Sequence, residues 1–141
     1  MPLRDQARML VFAGDAYADS GNLPEAARCY LDAIELGIAL PHGGGMTPLY
    51  YGTICEAIGN AALGRALDKL DARTARAASE RLLQIEQKRT PFSKILEQEN
   101  QYVCYEIGSL FTRNPYTAWT QIGQTYSEAS EATSFLSTAL T

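Results

Sequence analysis

Four groups of residues in this chain are of types that could do chemistry. His42, its sole histidine, is followed at once by Gly43, Gly44 and Gly45 within "IALPHGGGMTPLYYG", residues 38 to 52. A glycine run can turn successive backbone N–H groups toward a developing oxyanion, and an imidazole is the commonest general base. Cys29, Cys55 and Cys104 could supply a thiolate nucleophile, or with His42 a nominal zinc set. They lie far apart, with no CxxC pair and apolar neighbours, so they read as buried structural thiols. Glu99 and Glu106 stand two helical turns apart beside Glu97, but no Glu-x-x-His accompanies them as a di-metal site would need. They read as a solvated helix face. The fourth group is basic: Arg65, Lys69, Arg73, Arg76, Arg81, Lys88, Arg89 and Lys94 fall within 65–94 against Asp68, Asp71, Glu80 and Glu86. That segment carries +4 and the remainder −8, matching the overall −4.

The His-Gly-Gly-Gly quartet resembles the oxyanion-hole loop of lipase and esterase α/β-hydrolases. In that family the loop follows a strand of a parallel sheet and works with a G-x-S-x-G nucleophile elbow and a separate histidine base. Here there is no such elbow, and a His42 spent in the loop leaves no base. The stretch reads instead as a joint: Pro41 stops the preceding helix, the glycines free the backbone, and Pro48 starts another helix. Residues 41–46 are expected to form a surface loop. The glycines could offer N–H groups to an anion, but with neither a lysine nor a preceding strand the phosphate signal is weak. The chain is therefore expected not to be an enzyme, and no catalytic, cofactor or metal residue is assigned.

At 141 residues, with 46% hydrophobic and 20% charged residues, the chain should fold as one helical domain over 1–141. Its organisation reads as a hairpin over 1–40, a Gly-rich loop over 41–46 and a helical region over 47–141. The near-apolar stretch Ile54 to Leu67 is broken by Glu56, Asn60 and Arg65, too short a run to span a bilayer. The N-terminus carries Asp5 and Gln6 where a signal peptide needs an apolar core, so the expected compartment is the cytoplasm.

Helical periodicity runs almost throughout, and alternation is nearly absent; the fold class is all-α with about six helices. The first, from Leu3 to Ser20, should turn Leu3, Ala7, Leu10, Phe12, Ala13 and Tyr17 inward. Gly21-Asn22 breaks it, Pro24 opens the second, and Gly37 stops that one after Leu36. Thr47-Pro48 reads as a cap and first turn for a helix to about Leu70, with Tyr51, Ile54, Cys55, Ile58, Ala62 and Leu67 inward. Asp71 caps the next, from Ala72 to Lys88. Thr90-Pro91 starts another, to about Phe111 through Phe92, Ile95, Leu96, Val103, Ile107 and Leu110. Asn114-Pro115 starts the last, to near Leu140, fraying past Ser134.

Within "LVFAGDAYADSGNLPEAARCYLDAIELG", Gly14, Tyr17, Gly21, Ala26, Tyr30 and Ala33 follow at intervals of three, four, five, four and three. That order resembles the tetratricopeptide repeat, a helix–turn–helix of roughly 34 residues. The likeness covers residues 7 to 40, and no second copy follows at the same period. A trafficking-type three-helix module is a lesser relative. Small Gly14 and Ala26 would let two helices approach, Tyr17 and Tyr30 would fill the gaps beside them, Gly21 would turn the chain, and Ala33 would leave room for a third helix. The resemblance implies a protein-binding scaffold or assembly factor. The chaperone-binding members read a carboxylate terminus with a lysine and an asparagine where this chain has Val11 and Asp15, which argues against that ligand.

The expected function is accordingly a non-enzymatic protein-interaction module, with Tyr17, Tyr50, Tyr51, Arg65, Lys69, Arg73 and Arg76 as candidate contacts for another protein or peptide. The alternative is an accessory subunit whose solitary repeat is completed by a partner chain; an enzyme of unrecognised type comes last. The basic segment could meet an acidic partner or phosphates, or pair with the acidic hairpin. With no aromatic residue from Arg65 to Arg89 and an acidic total, it argues against nucleic acid. Self-association is left open.

Overall fold

The computed structural model describes residues 3–113, which form α1 (Leu3–Asp19), α2 (Leu23–Ala39), α3 (Met46–Ala66) with a 3-10 turn at Leu67–Lys69, α4 (Ala72–Gln87) and α5 (Phe92–Arg113). The fold is all-helical, and no strand occurs among the described residues. Those residues hold five α-helices rather than about six; the helix expected over 115–140 lies outside them. The chain divides into two compact units, Met1–Glu99 and Asn100–Thr141. In the second, description is confined to residues 100–113, the latter part of α5.

In the first unit α2 is the central helix. It packs against α1, α3 and α4, and buries Ala26, Ala27, Cys29, Tyr30, Leu31, Ala33, Ile34, Gly37 and Ile38. Leu31, Ile34 and Ile38 are almost fully enclosed, each worth about 1.5–3 kcal/mol relative to exposure. Ala62, Leu63 and Ala66 of α3 and Ala78 and Ile85 of α4 complete that cluster, while Ala7, Ala33 and Cys55 make a second one among α1, α2 and α3.

The turn between α1 and α2 is set by Gly21, at φ 82°, and by Asn22, whose side chain accepts from the Glu25 backbone N–H at 3.4 Å. Gly14 is buried because a Cβ there would run into the Tyr30 ring. Tyr30 in turn donates from its hydroxyl to Asp15 Oδ1 at 2.7 Å. Burial, then that carboxylate, push its phenol up to about 12. Ala26 and Ala33 are fully enclosed, but Tyr17 is partly exposed and fills no gap completely.

Gly37 does not stop α2. It lies inside the helix, which runs on to Ala39, and it marks the closest approach to α3. A Cβ on Gly37 would lie 2.6 Å from the Gly52 carbonyl oxygen, and one on Gly52 2.5 Å from that of Gly37. One turn or two further along, a Cβ on Gly59 would meet the Ile34 backbone nitrogen and the Tyr30 carbonyl at 2.9 Å. These glycines are retained in helices, despite their poor propensity, because the two backbones touch.

Several residues expected inward lie outside. Phe12 is 77% exposed, because the buried line of α1 runs through Ala7, Val11, Gly14 and Ala18 and position 12 falls about 140° round from Ala7. Tyr51 is exposed because glycine, cysteine and alanine make the buried line of α3. Leu67 is exposed where α3 tightens into the 3-10 turn, which changes the angular register. In α5, Ile95 is enclosed but Phe92 and Leu96 are exposed.

Gly52→Ala should lower stability to urea by about 1–3 kcal/mol through overpacking. Gly64→Ala in the same helix, where a Cβ meets nothing within 4 Å, should raise it by about 0.5–1 kcal/mol. Equal effects would refute the backbone contact. Because the folded phenol of Tyr30 titrates above its ordinary value of 10.0, its contribution is complete below pH 10 and declines as pH rises through about 12. Alkaline unfolding of Tyr30→Phe should lack that component.

Candidate interaction surfaces

The His-Gly-Gly-Gly loop sits between α2 and α3. It is turned by His42 N–H to Ala39 O and Gly44 N–H to Pro41 O, with Gly43 at φ 74°. Helix α2, not a strand, leads into His42. Its Nδ1 lies 3.1 Å from the hydroxyl of buried Thr90. Thr47 does not cap α3: the cap position is Gly45, which offers no side chain, and Thr47 lies within the helix. The open N-terminus is served from a distance, since Met46 N–H donates to Glu99 Oε2 at 2.8 Å. A Cβ on Gly45 would collide with that carboxylate. The first N–H of α3 thus meets an anion, the protein's own Glu99, held where the helix dipole favours it.

Cys29 and Cys55 are buried, and that burial pushes both thiols up, away from the thiolate that nucleophilic attack needs. Cys104 is exposed. Among the described residues no group of three or more His, Cys, Asp or Glu could hold a metal ion.

The basic segment is half consumed internally. Arg81 reaches Asp32 and Glu35 of α2, Lys88 reaches Glu35 at 2.6 Å, and Arg89 clasps Glu56 of α3 at 2.7 Å and Glu86 at 2.8 Å. Arg65 stands 4.0 Å from Asp15 of α1. Hydrogen bonding to Lys88, and then to Arg81, holds the Glu35 carboxyl below its ordinary value, and Arg89 does the same for Glu86. Asp71 caps α4 as expected, accepting from Thr74 N–H at 2.7 Å, which lowers its own carboxyl. Lys69, Arg73, Arg76 and Lys94 have no ion pair among the described residues.

The candidate tyrosines and bases do not gather into one site, although Arg65 reaches Asp15, two residues before Tyr17. Tyr50 and Tyr51 stand at the start of α3, with ring centroids 5.6 Å apart at 69°. Arg65 ends the same helix, about 22 Å away along its axis. Lys69, Arg73 and Arg76 cluster around the start of α4, and Tyr17 lies near the end of α1.

Two open grooves flank α2 instead. One, of about 740 Å³, is lined by Gln6, Met9 and Leu10 of α1 and by Asp32, Glu35, Leu36 and Ala39 of α2. The other, of about 470 Å³, has an apolar floor of Pro24, Ala27, Leu31, Ala77 and Ala78, with Arg28, Arg73, Arg81 and Asp71 around it. Of the grooves' lining only Arg73 was a sequence candidate. Met9 could have been found from its position about 160° from Ala7 on α1, beside Phe12; the α2–α4 groove depends on which helix α4 packs against, which periodicity does not tell.

None of the described helices is long and apolar enough to cross a membrane. No family model, curated protein or solved structure matches the chain.

The depressed carboxyls of Glu35 and Glu86 stabilise the fold above the ordinary carboxylate value of 4.5, and that contribution is lost as pH falls below it. Urea stability should therefore drop between pH 6 and pH 3, with a shallower drop for Arg81→Met. An unchanged slope would remove the ion pairs from the docking of α4.

Proposed function

We propose that this protein is a non-catalytic protein-interaction module built on a tetratricopeptide-like hairpin. The observation that carries the reading is the apolar surface left open beside α2. Met9, 57% exposed, lines the larger groove together with Leu10, Leu36 and Ala39, and Phe12, 77% exposed, stands three residues from Met9 on α1. Contiguous apolar surface of this kind on a folded domain marks a place where another molecule sits. Tyr50 and Tyr51, also exposed, and the basic residues Arg65, Lys69, Arg73 and Arg76 are further contacts in this reading. An acyl-transfer enzyme draws little support, since helix α2 rather than a strand leads into His42, whose Nδ1 lies against the Thr90 hydroxyl.

A second reading, an accessory subunit whose hairpin is completed by another chain, is favoured by the same exposed face of α1. Repeat units bury their hydrophobic faces only against neighbours.

The test uses the full chain as bait in an extract of its native source, together with light scattering and thermal unfolding of the chain alone. The module reading expects a monomer with one cooperative transition, and a partner retained through washing but released by Met9→Ser/Phe12→Ser with melting unchanged. A chain that is molten alone and ordered only on co-expression supports the accessory reading. A stable monomer that retains nothing overturns both.

A further inference from the structure

The smaller groove has a chemistry of its own. Its floor is apolar, and of its four charged lining residues three are arginines. The one acid, Asp71, has its carboxylate committed to the first turn of α4. Arg28 and Arg81 share Asp32, and each has a second acid, Glu25 or Glu35. They are therefore held in place along the α2 side as an ordered guanidinium edge. Arg73 differs: it has no ion pair among the described residues, only the field of nearby Asp71, and it lines the opposite side. Arg76, about one turn on and outside the groove lining, and Lys69, in the 3-10 turn just before α4, are also exposed and without an ion pair among the described residues.

A solvated charged face needs no groove beneath it, and an apolar groove needs no arginine edge. Their coincidence in a chain of net charge −4 selects a ligand carrying negative charge and apolar surface together. Arginine suits that task, since its planar fork binds carboxylates bidentately and its stem lies against apolar groups. Resting on the interaction-module reading, we propose that the groove between the first halves of α2 and α4 binds an acidic peptide segment, with one carboxylate on Arg73 in the lining, a further one on Arg76 outside it, and one aliphatic side chain on the Ala27–Leu31–Ala77 floor. The partner's charges then take up cations that the fold leaves over, while Arg65, Arg81, Lys88 and Arg89 stay with internal acids.

The experiment measures fluorescence anisotropy of a labelled, glutamate-rich peptide with a central leucine, added to the full chain at low and moderate salt. The expected result is saturable binding that weakens with salt. It should weaken roughly tenfold in Arg73→Glu/Arg76→Glu, a loss of about 1.4 kcal/mol. Ala77→Leu, which fills the groove and leaves every cation in place, should weaken it comparably, as should serine in place of the peptide's leucine. Both protein variants change exposed residues, and circular dichroism checks that they remain folded. Equal binding by Ala77→Leu and by the serine peptide would reduce the effect to general attraction between charges and overturn the proposal. Tighter binding of a single-stranded oligonucleotide would overturn it too, as would a dimer of the chain that the double variant abolishes. If the native partner stays bound to Arg73→Glu/Arg76→Glu but leaves Met9→Ser/Phe12→Ser, the module reading stands and this groove is not its site.

Discussion

The first unit depends on a backbone contact. Where α2 crosses α3, Gly37 and Gly52 each place a carbonyl oxygen where the other's Cβ would have to go, and Gly59 repeats the condition against Ile34 and Tyr30. This closeness lets small residues such as Ala33 and Cys55 fill the interior completely. A core this thin gains from many short-range dispersion contacts rather than from large side chains. It also makes α2 central, because a helix whose neighbours come this close can be flanked on several sides. Tyr30 then holds α1 at two points, its ring occupying the space a side chain on Gly14 would need and its hydroxyl bonded to Asp15.

The fourth helix is held differently. It contributes Ala78 and Ile85 to the main cluster, with Leu82 at the margin, and much of its remaining attachment is ionic. Arg81 and Lys88 bridge to the acids of α2, and Arg89 to Glu56 of α3. Partly exposed pairs of this kind are each worth little. Here they share members: Asp32 meets Arg28 and Arg81, and Glu35 meets Arg81 and Lys88. A linked set loses less side-chain freedom per contact than separate pairs would, so its main effect is to fix the register of α4 along α2. That register opens the arginine-edged groove.

Helix existence was legible in the sequence wherever a period and a cap coincided. Asp71 caps α4, and Asn22 with Pro24 opens α2, as their types require. Glycine was ambiguous. Gly21 does turn the chain, but Gly37 has the same local signature as a stop and serves instead as a packing surface, which depends on a residue fifteen positions away. Thr47-Pro48 failed as a cap for a related reason. The N-terminus of α3 takes its acceptor from Glu99 on α5, and no window of sequence around residue 47 contains that partner. Hydrophobicity alone turns Phe12 and Tyr51 inward; the buried lines of α1 and α3 are drawn largely by alanine and glycine, which a hydrophobic pattern underweights.

The basic segment shows how far composition reaches toward a site. A surplus of +4 over residues 65–94 reads equally well as a partner surface or as the complement of the acidic hairpin. The fold divides the two roles by position. Arg81, Lys88 and Arg89, on the later part of α4 and just beyond it, face acids of α2 and α3 and are neutralised there. Of Lys69, Arg73 and Arg76, around its start, Arg73 lines the groove with Pro24 and Ala27 at the beginning of α2, where Glu25 is already engaged by Arg28. Of the cations without an ion pair among the described residues, Arg73 is therefore the one that the fold places on the groove. Its location follows from the register of two parallel helices, which neither net charge nor spacing along the chain contains.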